Sequence, residues 1–141
     1  MRRCTPVAKA KSRKFIRFAR NGLRDERMRR YAEHMSLRRE ALEAADQVVR
    51  NVAVSELIRR NLSDLAGKLM HLPAITSQNA AKNATSTIRS VARASRSSVV
   101  VAALFSAFYA AGAHEEEYAR NAIHAADVAS ERSRRLLRSL N

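Results

Sequence analysis

The residue types in this chain that most suggest chemistry are four histidines, a single cysteine and a run of three glutamates. In "HEEEYARNAIH", His114 to His124, acids and histidines are mixed in a way that suggests a metal site. A zincin-type helix needs its second histidine four residues after the first, and Tyr118 stands at that position. Glu115–Glu117 read better as carboxylates at a helix start, where the backbone dipole favours negative charge. His34 and His71 stand apart from that stretch and from each other. Cys4 has no neighbouring base to activate it, and a lone cysteine forms neither an internal disulfide nor a multi-cysteine metal site. No glycine-rich loop offers to cradle a nucleotide phosphate, and no serine sits in a nucleophile elbow. No catalytic residue, metal ligand or cofactor is assigned, and an enzyme is the function class the sequence favours least.

The basic residues, by contrast, are organised. Formal net charge is +14, and most of it lies in two segments. Residues 1–36 carry +9 and residues 73–112 carry +4 with no acid, whereas residues 37–72 carry +1 and residues 113–141 carry none. At 100° per residue, Arg13, Arg17, Arg20, Arg24 and Arg27 fall within an arc of about 80°, with Lys14 beside them. Phe15, Ile16, Ala19 and Leu23 lie to one side of that arc. Lys82, Arg89, Arg93 and Arg96 form a second stripe, with Ala84, Ile88 and Val91 opposite. These ten cations are the candidate nucleic-acid-binding residues. Self-repulsion of this size calls for a polyanionic partner, and arginine forks suit bidentate phosphate contacts. The seven aromatics sit mostly in apolar runs, so no exposed platform for stacking single-stranded bases is expected. Without a helix-turn-helix, zinc-finger or basic-zipper pattern, the expected mode is phosphate contact independent of sequence.

The elements that must hold these stripes are helices. Three glycines and two prolines in 141 residues supply too few turns for a strand-rich fold. The pattern predicts an all-α protein: a basic arm over 1–36 and an Ala-rich helical bundle over 37–141. Residues 1–10, with Pro6, read as extended. A helix of about 37 Å follows from Lys11 to Met35, and its density of like charge predicts that it does not stay helical alone. Ser36 fits an N-cap for a second helix whose inner face is Ala41, Ala45, Val48, Val49 and Val52, ending near Asn61. Asp46–Arg50 and Glu56–Arg60 read as i,i+4 pairs on a solvated face. Ser63 suits the cap of a short helix stopped by Pro73. A third helix begins near Gln78 and either continues through or breaks at "SRSS", residues 95–98.

Residues 99–113, "VVVAALFSAFYAAGA", are apolar on every side and stop at Gly112. Fifteen residues rise about 22 Å, short of a hydrocarbon core of roughly 30 Å, so the run reads as a central buried helix with Phe105 inside. Rows of small residues (Ala103, Ala107 and Ala111; Ala122 and Ala126) predict that this helix pairs with the last one as a hairpin. The inner stripe of the last helix reads as Tyr118, Ala122, Ala125, Ala129, Leu136 and Leu140.

"MRRCTPVAKAKSRKFIRFARNGLR" is arginine-rich and acid-free like a mitochondrial transit peptide, but it is serine-poor, and its helical pattern continues to Met35. It lacks the apolar stretch of a secretory signal, so it reads as the working arm. A basic N-terminal arm over 1–36 beside an Ala-rich bundle over 37–141 resembles, in architecture, the major capsid proteins of filamentous and rod-shaped archaeal viruses. The resemblance implies a structural protein of a virion, a nucleocapsid subunit whose paired copies wrap double-stranded DNA into a helical filament. It implies that Arg13, Arg17, Arg20, Arg24 and Arg27 line the DNA and that Arg89 and Arg93 add contacts. One alternative is a small ribosomal protein, possibly mitochondrial, with a basic extension into RNA. The other is a single-span membrane subunit with a basic end.

Overall fold

The computed structural model describes the backbone of residues 6–140 and the side chains of residues 21–140. Arg2, Arg3 and Cys4, and the side chains of Arg13, Lys14, Arg17 and Arg20, lie outside the described residues. The chain is all-α, with no strand among the described residues. Helix α1 runs Pro6–Gln47 and passes into a π-helical stretch, Val48–Ala53, then α2, Val54–Arg59. Helices α3 (Ser63–Met70), α4 (Gln78–Ser95), α5 (Ser98–Ala110) and α6 (Glu116–Leu140) follow. The chain divides into two compact units, Met1–Met35 and Ser36–Asn141.

The N-terminal half departs from the sequence expectation in two ways, at the helix start and at Ser36. The helix starts at Pro6 rather than Lys11, because proline's fixed φ and missing N–H suit a first helical position. Residues 6–35 are helical within one element that runs on to Gln47. Propagating an existing helix avoids the nucleation cost that an isolated arm faces. Ser36 is a mid-helix residue and caps nothing, since no glycine or proline there takes the backbone out of helical geometry. Within Met1–Met35, Arg30 pairs with Glu26 at 2.7 Å, while Leu23, Met28 and Tyr31 are exposed.

Within Ser36–Asn141 the core runs from Ala41 to Ala129, and the π stretch packs on α5. Val54 N–H donates to the Val49 carbonyl, a five-residue span that widens the turn, and Val48, Val49 and Ala53 all stay buried. Asp46 and Arg50 pair at 2.9 Å as expected, but they are partly buried and tie down the α3–α4 connector. Asp46 accepts from Ile75 N–H at 2.8 Å, and Arg50 donates to the Leu72 carbonyl at 3.0 Å. Glu56 is buried and pairs with Arg59, not Arg60, through two bonds of 2.7 and 2.9 Å. Ser63 is the first residue of α3, whose cap position is Leu62 without a side-chain bond. The connector Arg96–Ser97 breaks the helix between α4 and α5, and Ser77 and Ser97 cap α4 and α5 through their side chains. They accept from Ala80 N–H at 3.1 Å and Val100 N–H at 3.3 Å.

Helices α5 and α6 pair as the alanine rows predict, and the buried Ser106 hydroxyl donates to the Ala122 carbonyl at 2.7 Å across the seam. The α6 stripe is rotated from the expected one: Ala119, Ala122, Ala126 and Ala129 are buried, while Tyr118 and Leu140 are exposed. Alanines allow the close helix approach that a tyrosine would prevent. Tyr118 packs instead over Gly112, where an added Cβ would lie 3.2 Å from its ring. Phe105 is half exposed rather than buried. Thirteen residues cannot turn every side inward, and the neighbouring helices cover the Val100, Leu104 and Ala107 side of α5. No helix among the described residues is long and apolar enough to cross a membrane.

Candidate nucleic-acid interface

Helix α4 is amphipathic, and packing fixes which side faces out. Ala81, Ala84, Ile88 and Val91 are buried, and this leaves Lys82, Arg89 and Arg93 exposed. From Lys82 to Arg93 the helix rises about 16 Å. Several acids elsewhere pair with an arginine: Glu26 with Arg30, Asp46 with Arg50, Glu56 with Arg59, Glu116 with Arg120, and Glu131 with Arg134 and Arg135. Among the described residues, Lys82, Arg89, Arg93 and Arg96 have no carboxylate partner. Arg89 and Arg93 flank a shallow concavity of ≈ 640 Å³, lined also by the hydroxyl residues Thr85, Ser86 and Ser90. Thr85 Oγ1 is turned to the Lys82 carbonyl. The Arg89 guanidinium lies over the Phe108 ring, 5.5 Å from its centre, a cation–π contact.

The remaining candidates fall elsewhere. Arg24 and Arg27 are exposed on α1, in the Met1–Met35 unit. Arg13, Lys14, Arg17 and Arg20 have helical backbone on that same element. Arg96 has left the α4 stripe: it is the C-cap, in left-handed conformation at φ 51°.

That turn places Arg96 in a group of arginines the sequence did not connect. Arg59, Arg60, Arg96, Arg132 and Arg135 line one concavity of ≈ 640 Å³ around the N-terminus of α5. Their sequence settings, "ELIRRN" and "ERSRRLLR", look like ordinary charge-balanced helix faces. Only the antiparallel return of α6 past the start of α5 brings them together. Hydrogen bonds to Glu56 hold the Arg59 guanidinium above its usual pKa. The hydrogen bond from Arg135, aided by the charges of Arg134 and Arg135, holds the Glu131 carboxyl below the usual range against its partial desolvation.

Contrary to the sequence expectation, the surface carries an aromatic strip. Phe105 lies 6.3 Å from Phe108 and 6.2 Å from Tyr109, and Tyr109 lies 6.1 Å from Tyr118 (ring centres), with Phe105 and Tyr118 exposed. Two histidines have structural partners. His71 Nδ1 is 2.7 Å from the Gly67 carbonyl, and His114 Nδ1 is 2.6 Å from Nε2 of Gln78, whose Oε1 accepts from Arg38 at 2.6 Å. Comparison of the chain with protein families, with characterised proteins and with solved structures finds no match.

Proposed function

We propose that this protein binds nucleic acid through phosphate contacts without reading its sequence, as a non-enzymatic coat subunit that assembles on double-stranded DNA into a nucleocapsid filament. The observation that carries the reading is the α4 face. Three exposed cations stand along about 16 Å of one rigid helix, with no acid on that helix to neutralise them. A merely solvated helix intersperses both signs to gain i,i+4 pairs, as α6 does with Glu116–Arg120 and Glu131–Arg135. An unpaired row instead holds its charge for an external partner. The basic residues of 1–35 add a second source of the same charge.

The test is the salt dependence of duplex binding, measured by fluorescence anisotropy. With eight phosphates engaged, log K against log salt has a slope of about −7, and scrambling the DNA sequence changes little. Arg89→Gln with Arg93→Gln flattens the slope by about 2. A wild-type slope shallower than about −2, or strong preference for one sequence, overturns the reading.

A further inference from the structure

We infer that the arginine concavity at the start of α5 is a discrete phosphate-binding site, separate in mechanism from the diffuse α4 face. Three observations converge on it. First, five guanidiniums line one hollow whose only acid among the described residues is Glu56; Glu56 is committed to Arg59, and Glu131 outside the hollow pairs with Arg135. Arg60 and Arg96 have no carboxylate partner among the described residues, and Arg132 reaches only the Ser98 carbonyl, at 3.3 Å. Second, the hollow surrounds the first turn of α5, a 13-residue helix. The Ser97 hydroxyl serves Val100 N–H, and the Ser98 and Val99 amides lie in the first turn, where no intrahelical acceptor exists. Third, Arg96 occupies a left-handed position that glycine or asparagine fills without strain. Asn61, the other residue of positive φ, is of the tolerated type. Here a bulky cation stands at φ 51° beside four other arginines, where a less strained residue would fit the turn.

The ligand chemistry follows from the donors. Arginine forks and backbone amides match a tetrahedral oxyanion, and three uncompensated guanidiniums match two linked phosphates better than one carboxylate. The group can come from a nucleic-acid backbone or from a free polyphosphate. The inference goes beyond the coat reading, since it requires only a phosphate group and not a DNA lattice.

Pyrophosphate titrated into the full chain by calorimetry at fixed ionic strength tests it. Saturable binding of one pyrophosphate per chain is expected, with sulfate at least tenfold weaker. Arg96→Asn, which suits the left-handed turn and so keeps the fold, weakens pyrophosphate binding about tenfold, and so does Arg60→Gln. Arg89→Gln with Arg93→Gln leaves it unchanged. Equal loss in the α4 double variant, or none in Arg96→Asn and Arg60→Gln, shows general screening and overturns the site. A duplex that displaces pyrophosphate identifies the backbone as the source; a duplex that binds without displacing it identifies a free polyphosphate. Pyrophosphate binding in a chain that does not bind duplex at all would remove the coat reading and keep the site.

Discussion

Phe105 and Leu104 are neighbours on α5 with opposite fates. Leu104 is 1% exposed in the core, whereas Phe105 is 50% exposed, with its ring beside those of Phe108 and Tyr109 on the surface strip. Truncating Leu104 removes buried carbons and leaves a cavity in the core. Leu104→Ala is expected to cost about 2–5 kcal/mol in urea unfolding. Phe105→Asp puts its charge in water and forfeits only ring contacts, so the chain stays folded with a loss of about 1 kcal/mol. Unfolding of Phe105→Asp would return that side chain to the core. The same contrast between chemical type and position holds for arginine. Arg59 is tied to a buried glutamate, whereas Arg60, next in sequence, has no carboxylate partner among the described residues.

Serines at four expected or observed helix starts distinguish real caps from apparent ones at the scale of the element. Ser77 and Ser97 each accept a backbone N–H of the first helical turn from an extended conformation. Ser36 lies inside α1, and Ser63 is already the first helical residue of α3, so neither occupies the non-helical cap position from which a side chain reaches the first-turn amides. Ser77→Ala and Ser97→Ala are each expected to cost about 1 kcal/mol. Ser36→Ala leaves stability unchanged or raises it by a few tenths of a kcal/mol, because alanine is the better mid-helix residue. Thermal melts followed by circular dichroism check the set. A loss of about 1 kcal/mol at Ser36 would mean that the helix breaks there.

For the whole molecule, charge and core are segregated. The core residues from Ala41 to Ala129 all lie in the Ser36–Asn141 unit, while residues 1–35 hold +9 of the +14. Removing that +9 leaves +5 on a unit with its own buried alanine, valine and leucine layers. No buried side-chain polar atom lacks a partner among the described residues. A 36–141 fragment is therefore expected to melt cooperatively and to retain most of its helix. Its salt slope on duplex DNA should be less than half that of the full chain, in proportion to the phosphates it can still neutralise. Binding as tight as that of the full chain would place the working surface wholly within residues 36–141.

The helical class was legible because Gly and Pro are scarce and apolar residues recur at helical spacing. The opposition of Lys82, Arg89 and Arg93 to Ala84, Ile88 and Val91 was legible for the same reason, since both properties are local. The α5–α6 pairing followed from rows of alanine, but its register did not. Tyr118 and Ala119 both fit a helical stripe, and only the contact distance across the seam decides that the smaller one goes inside. Phe105 could not be placed from a run that is apolar on every side, because periodicity carries no orientation where every position is hydrophobic. The continuity of α1 past Ser36 depended on the absence of any force that turns the chain there. The five-arginine hollow was least visible of all. Its members lie at the end of α2, in the α4–α5 turn and on α6, far apart in sequence. They meet only because the alanine seam brings α6 back past the start of α5, so tertiary packing alone creates that concentration of charge.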